Sequence, residues 1–108
     1  MPHPFDRSVI FTMLLAHDGF GTLPTDLGSL VVDDVLAMYR DEGRNTIADT
    51  VTEFISRITP ADTGVPAFET YAECLAIELR RARDRALSHH ATPDDEARLT
   101  RHNLHVVR

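Results

Sequence analysis

The sequence predicts an all-α fold: a small bundle of four core helices with a looser helix at the C-terminus. Three observations predict it. Residues 66–90, the longest stretch without Gly or an internal Pro, carry Phe68, Tyr71, Ala72, Leu75, Leu79, Ala82 and Ala86 at three- and four-residue steps, one stripe along a helix. Gly, Pro and short polar caps cut the rest of the chain into helix-length segments. The one strand-like run, Val9-Ile10-Phe11-Thr12, has no second run to pair with.

A chain of 108 residues is one domain long. With 43% hydrophobic residues it can build a core, though a small one. The expected division is a core bundle over residues 1–90 and a helix or tail over 91–108. The longest apolar run, residues 9–16, is broken by Thr12 and falls short of the roughly 20 residues that cross a bilayer. Asp6 before it and His17-Asp18 after it do not fit a signal peptide. A single cysteine, Cys74, excludes an internal disulfide framework and makes a reducing, cytoplasmic setting the expectation.

Residues 1–5 hold two prolines and read as an extended arm. Asp6 is placed to cap a first helix that runs to Asp18. It is apolar nearly all round, so it must be buried on several sides, and Gly19 and Gly21 end it. Thr25 or Asp26 then caps a second helix to Glu42, with Leu27, Leu30, Val31, Val35, Met38 and Tyr39 inward and Asp33, Asp34, Arg40 and Asp41 toward water. Gly43 stops it, and the tight connection at 43–45 makes the next helix an antiparallel neighbour. Thr46 with Asp49 resembles a capping box, followed by Ile47, Val51, Phe54, Ile55 and Ile58 on one side and a stop at Thr59-Pro60.

After a loop at 59–66 comes the long central helix. Glu69, Glu73 and Glu78 lie in its first half and Arg80, Arg81, Arg83 and Arg85 in its second, the order that suits the helix macrodipole. Thr92, Pro93 and Asp94-Asp95-Glu96 are a strong helix start. The remaining residues offer a core only Ala97, Leu99, Leu104, Val106 and Val107, so this last helix docks weakly, packs on another subunit or frays.

Charge is unevenly spread. The net is −6, yet residues 1–79 carry 4 Arg against 13 acids and residues 80–108 carry 7 Arg against 4. Such asymmetry points to interaction surfaces, set against the plainer reading of solvated helix faces. The expected partner-binding acidic face is Asp33, Asp34, Asp41, Glu42, Asp49 and Glu53; the expected basic patch is Arg80, Arg81, Arg83, Arg85, Arg98 and Arg101. A dimer in which one copy's arginines meet Asp33, Asp34 and Asp41 of a mate is consistent with both. Within the central helix, Glu78 with Arg81 and Arg80 with Asp84 are the local alternatives.

Chemical motifs are sparse. His102 and His105 are spaced to share a helix side, a weak zinc candidate that lacks the cysteines a structural site usually has, so no metal or cofactor is expected. Cys74 sits about a third of a turn off the central stripe and Ile77 nearly opposite it, making either a small exposed patch or a face covered by a neighbour. Leu27-Gly28-Ser29-Leu30 before an acidic helix is similar to the serine motif of acyl carrier proteins. Gly28 stands where that family has Asp and the long preceding loop is missing, so Ser29 reads as an exposed first-turn residue. No phosphate loop, His-Glu-x-x-His, Gly-x-Ser-x-Gly or Cys-x-x-Cys occurs.

The leading functional expectation is therefore a non-catalytic protein-interaction module. It would be a small acidic regulator or inhibitor that occupies a partner protein's surface, in the manner of a phosphate mimic. A nucleic-acid-binding module using the Arg- and His-rich C-terminal part is the second, with the net charge against it. A small enzyme or accessory subunit using His17, Asp18 or the His102/His105 pair is the third.

Overall fold

The computed structural model describes residues 4–42, 46–102 and 104, with the side chains of 4–6 and 42 left aside. Among them it contains five α-helices and no strand: α1 (Pro4–Leu15), α2 (Thr25–Glu42), α3 (Ile47–Arg57), α4 (Phe68–Leu87) and α5 (Pro93–Arg101). A short 3-10 turn at Phe20–Thr22 links α1 to α2. Among the described residues no helix is long and apolar enough to cross a membrane.

Each helix forms where its sequence favours it, with a few shifts. Of the expected extended arm at 1–5, residues 1–3 lie outside the described residues, and Pro4 and Phe5 already belong to α1, because Pro is well tolerated in a first helical turn. That helix ends at Leu15 rather than Asp18, and Gly19, with φ 90°, makes the left-handed turn. Nor is α1 buried all round. Ile10 and Leu14 are fully buried, whereas Leu15 is 48% exposed. In α3 the Thr46 hydroxyl accepts from the Asp49 N–H, and in α5 Thr92 and Asp95 complete a reciprocal capping box. The connection at 43–45 lies outside the described residues.

The core is in two parts. Ile10, Leu14, Phe20, Val31, Val35, Phe54, Phe68 and Ala72 belong to the larger, where α1, α2, α3 and the start of α4 meet. Phe20 stacks edge-on against Phe68, with ring centroids 5.1 Å apart. A Cβ at Gly28 would stand 3.6 Å from both Phe11 and Phe20, ordinary van der Waals contact, so the packing there does not require glycine. The smaller part joins α4 to α5 through Leu75, Leu79, Ala82, Ala86 and Leu99. The central stripe of α4 is thus buried as its spacing predicts.

The last helix is docked, not free. Leu99 is the only large apolar side chain it buries, and polar contacts do the rest. Arg85 clamps Asp95 with two hydrogen bonds of 2.7 and 2.6 Å. The Asp95 carboxyl falls well below its ordinary range, through the Arg85 guanidinium first and the Thr92 backbone N–H second.

Candidate functional site

Where α5 meets α2, five polar side chains form one connected network. Asp33 and Asp34 are consecutive on α2, so they diverge by about 100° around it. Arg7 of α1 donates to Asp33, and the Tyr71 hydroxyl of α4 donates to Asp34. Between the two acids lies His102, the residue that caps α5. Its Nδ1 is 3.4 Å from Asp33 Oδ2 and its Nε2 is 3.0 Å from Asp34 Oδ1. Arg101 adds a longer ion pair to Asp34 at 3.7 Å. Carboxylates only accept, so a ring nitrogen that bonds either acid must carry its own N–H.

The His102 side chain has no exposure, and those of Asp33 and Asp34 keep only 14% and 10%. Burial works against ionisation of Asp34. The hydrogen bonds from His102 and Tyr71 and the positive charges of His102 and Arg101 outweigh it, and the carboxyl is held below its ordinary value of 3.8. The same neighbourhood acts oppositely on Tyr71: burial first, then its bond to Asp34, raises its pKa strongly. Tyr71 is therefore a hydrogen-bond donor here, and among the described residues no buried side-chain polar atom lacks a partner.

Beside this network opens a groove of about 290 Å³. Met38, Phe54, Ile58 and Tyr71 form its apolar part, with the Phe54 and Tyr71 rings edge-to-face at 5.1 Å. Asp34, Asp41, Arg57 and Arg101 bring charge to it. Three of these four are engaged: Asp34 as above, Arg101 with Asp34, and Arg57 with Glu53 at 2.7 Å. Asp41 is exposed and makes no ion pair with the described residues. Among the described residues the groove therefore presents one negative charge without an ion pair, above an aromatic and thioether floor.

The expected acidic face is split by these contacts. Asp33 and Asp34 do not face water. They are structural acids, because Arg7, Tyr71, His102 and Arg101 converge on them from three other helices. Asp49 is exposed, Glu53 is half-buried and paired with Arg57, and the Glu42 side chain lies outside the described residues.

The basic patch is split as well. Arg85 holds Asp95, Arg98 reaches Glu78 at 3.6 Å, and Arg101 reaches Asp34. Arg80, Arg81 and Arg83 are exposed with no ion pair among the described residues, so neither local pairing within α4 forms; Glu78 turns to α5 instead.

His102, the weak metal candidate, is otherwise engaged. Both its nitrogens are turned inward onto carboxylates, at the residue where α5 ends; His105 lies outside the described residues. No cluster of three metal-binding side chains occurs among the described residues. His17 and Asp18 are both exposed. Ser29 is half-buried rather than exposed, and lines a second cleft of about 390 Å³ with Arg7, Ser8, Phe11, Thr12 and Val32. Cys74 and Ile77 are uncovered, Ile77 at 47% exposure.

Sequence reasoning missed Tyr71 as a polar residue and the groove altogether. Tyr71 sits in the apolar stripe, and its hydroxyl partner is 37 residues away. Compared with protein-family models, curated proteins and solved structures, the chain matches none.

Proposed function

We propose that this chain is a non-catalytic protein-interaction module, a small acidic regulator or inhibitor that takes a partner protein at the groove between α2 and α3. The observation that carries the reading is Asp41, without an ion pair among the described residues, beside a groove floored by Met38, Phe54, Ile58 and Tyr71. A docking site needs an apolar anchor pocket with charge at its edge to set orientation. Among the described residues the one lining charge without an ion pair is negative, and residues 1–79 are strongly acidic. The complementary partner is therefore a basic segment with an apolar or arginine side chain for the floor; a guanidinium over Phe54 or Tyr71 adds a cation–π contact. Long-range attraction steers such a partner inward.

The phosphate-mimicking form of this reading rests on Asp41 and Asp49, since Asp33 and Asp34 are held inside the fold. The network beneath the groove supplies rigidity: it fixes Tyr71 and Arg101, so the wall stands preformed and little ordering entropy is lost on docking.

Capture of partners from a lysate of the source cells tests this reading, with Asp41→Arg as the control. The reading expects a protein partner that the wild-type chain holds, that salt weakens and that Asp41→Arg releases. No partner, or one held equally by the variant, contradicts it.

A further inference from the structure

The outer face of α4 is the counterpart of that groove. At about 100° per residue, Ile77, Arg80, Asp84 and Leu87 fall within about 80° of one another, with Arg81 and Arg83 flanking them. Ile77 is 47% and Leu87 55% exposed. The three arginines carry no ion pair among the described residues, while Asp84 is the one acid in this half of the face. It is therefore a basic surface with apolar residues set into it, the chemistry the groove selects. The two surfaces cannot meet within one chain, because the groove uses the Tyr71 side of α4 and Ile77 points away from it.

We infer that a second copy of this chain is a ligand of the groove, docking head-to-tail through its α4 outer face. The inference rests on the reading of the groove as a site for basic amphipathic segments. In the contact, Arg80 or Arg81 of one copy reaches Asp41 of the other, and Ile77 enters against Met38 and Ile58. The contact is heterologous: each copy offers one surface of each kind, so it grows into chains unless the rotation closes a ring. Its consequence is regulatory. A groove filled by another copy is closed to a foreign partner, so the free site is most available when the protein is dilute.

Two surface substitutions test the inference by complementation. Asp41→Arg disables the groove and leaves α4 intact; Ile77→Glu disables the α4 face and leaves the groove intact. Both positions are exposed, so both variants keep the fold. Sedimentation equilibrium up to about 1 mM covers even millimolar affinity. The wild-type chain is expected above monomer mass, with association weakened by added salt. Each variant alone is expected to stay a monomer, and an equimolar mixture to form a 1:1 pair that grows no further.

A monomeric wild-type chain over the whole range overturns the inference, as does a mixture that stays monomeric or a variant that associates like the wild type. Nucleic acid gripped by Arg80, Arg81 and Arg83 at low salt, with no self-association, also overturns it. If only the second copy fails, a foreign partner still depends on Asp41; if the groove reading fails, that dependence is lost.

Discussion

His102 Nε2 stands 3.0 Å from Asp34 Oδ1, across 68 residues of chain, and this contact fastens the end of α5 to the middle of α2. The other ring nitrogen meets Asp33, so one imidazole serves two half-buried acids. Removing it leaves carboxylates with fewer donors and a void at a site with no exposure. Breaking one member of a buried polar cluster costs about 2–4 kcal/mol. His102→Ala is expected to lower the urea-unfolding free energy by about that much. A change within about 0.5 kcal/mol, typical of surface positions, would place the ring elsewhere.

Acid should weaken the fold in a defined direction. The Asp34 and Asp95 carboxyls both lie below their ordinary value of 3.8 in the folded chain. Unfolding therefore takes up protons as the pH drops. The stability these groups contribute is complete above 3.8 and is lost as the pH falls through their lower folded values. Urea midpoints are expected to hold from about pH 7 to about pH 5 and to decline below about pH 4. Asp34→Asn is expected to shallow that decline. A midpoint constant to about pH 2 would contradict the assignment.

The turn after α4 carries a correctable strain. His89 has φ 61°, and it is the only non-glycine residue with positive φ among the described ones. Its N–H reaches Ala86 O at 3.2 Å while the His90 N–H reaches Arg85 O at 2.7 Å, the two bonds of a Schellman ending whose left-handed position favours Gly. His89→Gly is expected to stabilise by about 0.5–1 kcal/mol despite the looser unfolded chain, and His89→Val to destabilise. Thermal melts of the pair decide it. A Gly variant that melts lower than wild type refutes the strain.

Leu99 is the apolar anchor of α5, 4% exposed among Leu75, Leu79, Ala82 and Ala86. Truncation to Ala in such a site costs about 2–5 kcal/mol. Because α5 buries little else that is apolar, the loss should appear first as local opening. Amide exchange in Leu99→Ala is expected to accelerate along α5 while α2 and the first half of α4 stay protected. Uniform acceleration across all helices would show that α5 does not open separately.

Much of the fold is legible in the sequence because it rests on short-range signals. The stripe from Phe68 to Ala86 is buried as its spacing requires, and Thr46 and Thr92 begin the helices they are suited to begin. The polar network is not legible. Adjacent aspartates on an amphipathic helix resemble a solvent face, and nothing local marks Asp33 and Asp34 as the meeting point of Arg7, Tyr71 and His102. The same distance in sequence hides the groove, whose walls come from separate helices. The low apolar content of α5 is plain from its residues, but its polar attachment, which supplies what the missing apolar side chains do not, is visible only in the fold.

A double-mutant cycle between His102 and Asp34 tests the central contact most directly. Urea unfolding of wild type, His102→Ala, Asp34→Ala and the double variant gives the coupling energy between the two side chains. The docked arrangement predicts about 1–3 kcal/mol of coupling, with the double variant less unstable than the two single losses added together. Additivity within about 0.3–0.5 kcal/mol would mean that the two residues act independently, and that α5 is not held on α2 by this pair.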